Sequence, residues 1–257
     1  YPAGSRAGRA LVQQVMHSHA AFQHVAAKSA RVSWPRLIRV SIMSQDNKLH
    51  HRSEYERAFL DEADAGSDPY ALFGRWLDDA ISDGLPEPHA MTLATMGQLT
   101  ISCRVVLLRA FDAQGFVFYT NHNSRKAMDL ERDPRAALNF FWPMHERQVR
   151  IEGRAEHVSA AESDAYFRTR PRESQIGAWS SDQSRPVADR QALEERFARW
   201  QDRFKDEAEV QRPMHWGGFR VKPVRIEFWE GRPSRLHDRI AFEQMSDGKW
   251  LRVRLQP

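Results

Sequence analysis

The chain has one cysteine, Cys103, in 257 residues. A single thiol excludes an internal disulfide and any multi-cysteine metal site, and it fits a reducing compartment. Long apolar runs are missing as well: no stretch approaches the roughly 18 to 20 residues that a membrane-spanning helix needs. A soluble protein that does not enter membranes is expected. Neither a P-loop nor a Gly-x-Gly-x-x-Gly dinucleotide turn occurs, and there is no internal repeat or low-complexity tract. His50-His51 and His17-x-His19 lack metal-ligand spacing and read as exposed residues near one end, so no metal site is expected.

Acidic residues are absent from the first 42 positions, which hold six basic side chains. The formal net charge of +4 comes from that segment, because the remaining 215 residues carry 32 basic against 34 acidic side chains. A body so close to neutral offers no general basic face, and nucleic acid is not an expected partner. Residues 1–42 read either as an arginine-rich presequence or as a translated upstream stretch with Met43 as the working start, and the second reading is the expectation. Either way the segment is expected to lie outside a single domain spanning 43–257. A cytoplasmic location follows, or an organellar one if the segment is a true presequence.

Asp68-Pro69 reads as an N-cap followed by proline in the first helical turn. Leu72, Phe73, Trp76, Leu77, Ala80 and Ile81 recur at helical spacing until Gly84. Beyond Pro86 the pattern turns to short β-rich runs at 90–96, 99–109, 116–120, 135–142 and 147–158. Ser159-Ala-Ala-Glu162 is a capping-box signature that opens a helix carrying Tyr166, and 187–205 shows a further helical pattern. Strands are expected again at 216–221, 225–230 and 235–243, with Asp247-Gly248 as a hairpin turn before 250–255. Short, mostly antiparallel strands with a few helices suggest a barrel, mainly β with flanking helices.

Three places carry chemistry. In an extended strand Arg235, His237 and Arg239 share one face, and three cationic or potentially cationic groups together call for an anion. Tyr166 and Arg170 stand at i, i+4 spacing before Pro171, with Ser174 just beyond, which reads as a second anion site. Arg170 alone also suits the negative end of a helix dipole. Ser124-Arg125-Lys126 opens a helix with cations where the dipole disfavours them, the mark of a phosphate seat. Gln148, between Arg147 and Val149 in a strand, needs a polar partner if buried. Trp216 alone reads as core.

At these positions the sequence resembles the pyridoxine/pyridoxamine 5′-phosphate oxidase family, from about Arg52 to the C-terminus. The resemblance rests on ordered runs: Arg104-Val-Val-Leu-Leu, Phe118-Tyr-Thr-Asn, Ser124-Arg-Lys-Ala, Glu146-Arg-Gln-Val, Ser174-Gln-Ile-Gly-Ala-Trp, Trp216-Gly-Gly-Phe-Arg and Arg235-Leu-His-Asp-Arg. It implies a split β-barrel of FMN-binding type, a homodimer with the flavin near the subunit interface, and oxidation of pyridoxine and pyridoxamine 5′-phosphates by oxygen.

By resemblance, Arg104, Val105 and Leu107 line the flavin, Tyr119 and Thr120 lie near its phosphate end, and Ser124, Arg125 and Lys126 bind that phosphate. Gln148, Gln183, Ser184, Trp216 and Arg239 add contacts. Tyr166, Arg170 and Ser174 match substrate-phosphate ligands, and Arg235 and His237 match residues over the pyridine ring, where either could assist proton movement. Arg52 and Tyr55 match a segment that closes over the substrate. Arg109, implied at both the flavin and the substrate, stands where many members have lysine, so a planar fork replaces a compact ammonium. A flavoenzyme acting on another ring and a non-catalytic carrier are the competing readings. A chain started at Met43 is expected to match the full chain in melting temperature and turnover; a large loss in either would make the extension structural.

Overall fold

In this computed structural model the described residues are Tyr55 and 59–257. The readings for 1–42, for the boundary at 43 and for Arg52 lie outside them. A one-turn helix α1 (Glu62–Ala65) precedes α2 (Pro69–Ser82), which starts as expected, with the Asp68 carboxylate accepting the Tyr70 N–H at 2.9 Å. Leu72, Phe73, Trp76, Leu77 and Ala80 form its buried stripe, and Gly84 ends the segment at φ +67°.

Nine strands follow: β1 (Ala90–Met96), β2 (Ile101–Leu107), β3 (Ala110–Asp112), β4 (Gly115–Asn121), β5 (Arg135–Trp142), β6 (Arg147–His157), β7 (Trp216–Glu230), β8 (Asp238–Gln244) and β9 (Trp250–Arg254). They make one antiparallel sheet in the order β2-β1-β5-β6-β7-β4-β3, with β8 on β7 and β9 on β8. The Arg109 N–H bonds the Val117 carbonyl at 2.8 Å, bringing the end of β2 back against β4 and rolling the sheet into a split barrel. Period-2 burial fixes the register: Met91 and Leu93, Leu138 and Phe140, Val149 and Ile151, Ile226 and Phe228 all point inward. Phe73 crosses this core, its ring about 5 Å from those of Phe111, Phe116 and Phe140.

Four helices flank the barrel: α3 (Arg125–Arg132), α4 (Ala160–Thr169), α5 (Arg172–Ser180) and α6 (Arg190–Phe204). The last three pack a second apolar cluster of Phe167, Ile176, Ala178, Phe204, Val210 and Trp216.

Several boundaries differ from the sequence expectation. The strands expected at 216–221 and 225–230 are one strand, since β6 runs beside both halves; β4 pairs with the first half and β8 with the second. Pro223, which offers no N–H, sits at the junction beside a bulge at Glu152/Gly153. The expected 99–109 strand is Ile101–Leu107, and the 187–205 helix begins at Arg190 under an Asp189 cap. Most important, the 235–243 strand begins only at Asp238. Ser234 and Arg235 take φ of +57° and +62° in a 3-10 turn, so Arg235, His237 and Arg239 do not share a strand face.

Gly115, at φ +134° between β3 and β4, lies so close to β7 that an added Cβ would stand 2.2 Å from the Val221 oxygen. Gly115→Ala is expected to lower stability by at least about 2 kcal/mol. Urea unfolding checks this, and an unchanged midpoint would contradict it.

Candidate active site

A cavity of about 450 Å³ opens where β2, β4, the start of β7 and helices α3 to α5 meet. It brings together Val105, Leu107, Arg109, Tyr119, Thr120, Lys126, Tyr166, Arg170, Ser174, Gln183 and Trp216, which the sequence had assigned to two ligands.

Its floor is aromatic. Tyr119 stacks on Tyr166 with centroids 4.0 Å apart and on Trp216 at 5.4 Å, held from behind by the second apolar cluster. Arg170 caps the end of α4 in extended geometry, so it leaves the helix rather than continuing its face. Its guanidinium carbon lies 4.6 Å above the Trp216 ring, and its Nη1 is sealed from solvent without a hydrogen-bond partner. Burial pulls the Arg170 pKa down, Tyr166 opposes that, and Arg109 adds to it. Arg170 thus stands at the helix end, while its guanidinium is turned over Trp216 into the cavity. Burial also pushes the Tyr119 hydroxyl up to about 12, leaving it a donor at ordinary pH.

The other wall is the start of α3. Ser124 is buried and caps the helix, its Oγ accepting the Ala127 N–H. Lys126 Nζ donates to Gln183 Oε1 at 2.6 Å and Thr120 Oγ1 at 3.1 Å, and the Arg125 N–H donates to Ser184 Oγ at 3.2 Å. Ser184 holds a left-handed φ of +72° while making that bond. These partners are all neutral. Burial, with Arg104 nearby, pushes the Lys126 ammonium down to about 8. Arg104 is held by Thr95 Oγ1 at 2.7 Å and by the Leu93 carbonyl, and Thr95 in turn donates to buried Asp129 on α3.

The remaining assigned residues lie elsewhere. Gln148, Arg239, Arg235, His237 and Tyr55 gather at the far end of β7, about 40 Å of strand from Trp216. Phe141, Gln148, Trp229 and Arg239 form one row across β5 to β8 on the sheet face turned away from the core. His237 accepts the Arg232 N–H on Nδ1 at 3.1 Å, which leaves Nε2 as the protonated nitrogen, and burial with Arg235 nearby lowers its pKa. Trp229, which the sequence reading left as plain strand, stands opposite Gln148 and 4.7 Å from the His237 ring. The alternation Arg225, Glu227, Trp229 was the available signal. Tyr55 lies 5.6 Å from His237, its ring against Gly231, where a Cβ would meet Tyr55 Cγ at 2.7 Å. Among the described residues no group of His, Cys, Asp and Glu could hold a metal ion.

Residues 77–204 match the family described as Pyridoxamine 5′-phosphate oxidase, and residues 216–257 match the Pyridoxine 5′-phosphate oxidase C-terminal dimerisation region. The chain belongs to the pyridoxamine 5′-phosphate oxidase family. Among curated relatives, a pyridoxine/pyridoxamine 5′-phosphate oxidase of Cupriavidus metallidurans is 53% identical over 207 residues, covering 80% of this chain and 97% of that protein. One from Rubrobacter xylanophilus is 54% identical over 207 residues, covering 80% and 94%. Of solved structures, PhzG from Burkholderia lata, in complex with tetrahydrophenazine-1-carboxylic acid, superposes with a TM-score of 0.74 at 30% identity, covering 80% of this chain and all of that one. An FMN-binding protein of Nostoc punctiforme, related to this family, shares the fold with a TM-score of 0.62 at 16% identity, covering 75% of this chain and all of that one. Among the described residues, no helix is long and apolar enough to cross a membrane.

A phosphate held by Lys126 would bind in a pH-dependent way. Below about 8 the lysine is already protonated, so binding involves no proton at this group. A bound phosphate raises its pKa, so above 8 binding takes up a proton and weakens by up to about tenfold per pH unit. Fluorescence titration of FMN from pH 7 to 9.5 should show this loss in wild type and a flatter profile in Lys126→Gln. Parallel profiles would remove Lys126 from the seat.

Proposed function

We propose that this protein oxidises pyridoxine 5′-phosphate and pyridoxamine 5′-phosphate to pyridoxal 5′-phosphate, using FMN and oxygen and releasing hydrogen peroxide. The observation that carries the reading is Arg170: a half-buried guanidinium with an orphaned nitrogen, no carboxylate bearing on it among the described residues, and Tyr166, Ser174 and Arg109 around the same cavity. Such a group is stabilised by a phosphate dianion, which it can grip in a charge-assisted fork. The residues also fit a flavin. Lys126, among neutral oxygens at the start of α3, suits a second phosphate, and Val105, 66% exposed beside the cavity, offers an apolar face for a ring.

A bound FMN would supply the two-electron acceptor for a hydride from C4′ of the substrate, with oxygen as the final acceptor. The chain supplies position. Ser124, Arg125 and Lys126 would hold the cofactor phosphate, with Thr120, Gln183 and Ser184 fixing that loop. Arg170, Tyr166, Ser174 and Arg109 would hold the substrate phosphate on the aromatic floor, and Trp216 acts as the platform beneath Arg170. His237, whose Nδ1 accepts the Arg232 N–H, and Arg235 would manage the proton of the substrate alcohol or amine. Orienting two planar rings face to face is the main contribution asked of the protein.

The two residue sets stand too far apart along β7 for one chain to place both around a single flavin. That separation supports a homodimer in which each site draws Arg235, His237, Gln148 and Arg239 from the second subunit. The match of 216–257 to a dimerisation region points the same way.

Arg170→Ala is expected to lower kcat/KM for pyridoxine 5′-phosphate by roughly ten- to a hundredfold, leaving FMN content unchanged. Free pyridoxine lacks the phosphate, so its slower oxidation should hardly respond. The test is the ratio of the two efficiencies at matched flavin content. A ratio equal to that of wild type would show that Arg170 does not hold the phosphate.

A further inference from the structure

Glu227 lies on β7 one row behind Trp229 on the open sheet face, and the roles assigned above make no use of it. Its side chain is 3% exposed, yet three guanidiniums converge on it. Arg150 Nη2 donates at 2.6 Å, Arg225 Nη2 at 3.0 Å, and Arg239 donates to Oε1 from both Nε and Nη2, at 3.0 and 2.9 Å. Arg225 has further carboxylates in Glu152 at 3.2 Å and Glu243 at 3.7 Å. Arg150 and Arg239 have no other carboxylate within ion-pair distance among the described residues. One negative charge thus serves two cations, and Arg150 Nε is left buried without a partner. Buried charges are ordinarily paired. This cluster is built with positive charge to spare, beside the row that carries Gln148 and Trp229.

The geometry at Arg239 is equally specific. A guanidinium has five N–H donors in a rigid plane. Glu227 takes two of them and the Gln256 carbonyl takes a third, from Nη1 at 2.7 Å. One N–H remains on each Nη. The side chain is therefore clamped on three of its donors, with a fixed pair left over.

We propose that Glu227 is a positioning residue for the flavin: it clamps Arg239 so that two N–H groups and one net positive charge are presented beside Gln148 and Trp229. The inference rests on the flavin reading above. Glu227 touches neither cofactor nor substrate. It acts through Arg239 in two ways, by fixing the direction of the fork and by cancelling part of the charge that an electron-accepting ring would meet.

The experiment uses the full chain and FMN as the probe. FMN affinity is read by quenching of flavin fluorescence, and the midpoint potential of the bound flavin by spectroscopic titration with a reductant. Glu227→Gln loses the charge and the clamp, so FMN should bind roughly tenfold more weakly and the potential should rise. Glu227→Asp keeps the charge but falls short of Arg239, and a smaller loss of affinity is expected. In an Arg239→Ala background, Glu227→Gln should change affinity by less than about twofold, since the residue it acts through is gone. A role limited to holding the sheet together would lower the melting temperature and leave both flavin readings of the folded variant unmoved; that outcome overturns the proposal, as does full additivity in the double variant. If Glu227→Gln does not fold, wild-type affinity and potential in Glu227→Asp overturn it instead. Wild-type protein that takes up no FMN would sink the flavin reading and this inference with it, whereas flavin-replete wild type with indifferent Glu227 variants sinks this inference alone.

Discussion

Positive charge without a carboxylate to answer it governs the cavity between β2, β4 and the flanking helices. Removing part of a guanidinium from water carries a penalty of several kcal/mol, and a ring beneath it returns only about 0.5 to 2. Arg170 is in this position, with Arg109 adding repulsion, and across the cavity Lys126 sits among oxygens that are all neutral. The fold maintains the imbalance by rigid means. Arg170 is placed by the end of α4 and by Trp216, which a separate apolar cluster holds; Lys126 is placed by a capped helix start and a docked loop. An anion entering such a site finds its partners already oriented, so little ordering remains to be done on binding.

The second constraint is the length of β7. Its 15 residues give it different partners on one edge, β4 for the first half and β8 for the second, while β6 runs along the other. Trp216 is thereby tied to the anion cavity and Trp229 to the row with Gln148 and Arg239. Both places belong to one continuous element, so the relation between them is stiff within a chain. If two copies pair so that the far end of one meets the cavity of the other, as proposed, that stiffness passes directly into the geometry of each site.

Much of this was legible in the sequence, for identifiable reasons. The Asp68 and Ser159 caps are local signals, and the helices begin where they say. The β1 and β5 boundaries follow from period-2 burial alone. Ser124-Arg125-Lys126 drew attention because cations at a helix start are unfavourable by themselves, and the helix does start there. The failures are equally physical. Lys222-Pro223 breaks the alternation within β7, so the strand looked like two, and only its pairing with β6 shows otherwise. The Pro233–Arg235 turn depends on positive φ at Ser234 and Arg235, residues without the glycine that usually marks it, so the apparent strand face of Arg235, His237 and Arg239 did not form. Arg239 is met by a protein carboxylate, Glu227, twelve residues earlier on the neighbouring strand, a cross-strand pairing that the run Arg235 to Arg239 does not itself show. Trp229 was overlooked because, between Phe228 and Glu230, it reads only as one more strand residue.

The lone thiol noted at the outset acquires a use from its place in the sheet. Cys103 is exposed on β2, opposite Ala94 and next to Arg104 and Val105, on the same outward surface as the Gln148 row. A second copy seated on that surface would shield it, while an isolated chain leaves it open to any small alkylating reagent. The chain therefore carries its own footprinting label: one sulfur, one rate of modification, and no competing cysteine to confuse the reading.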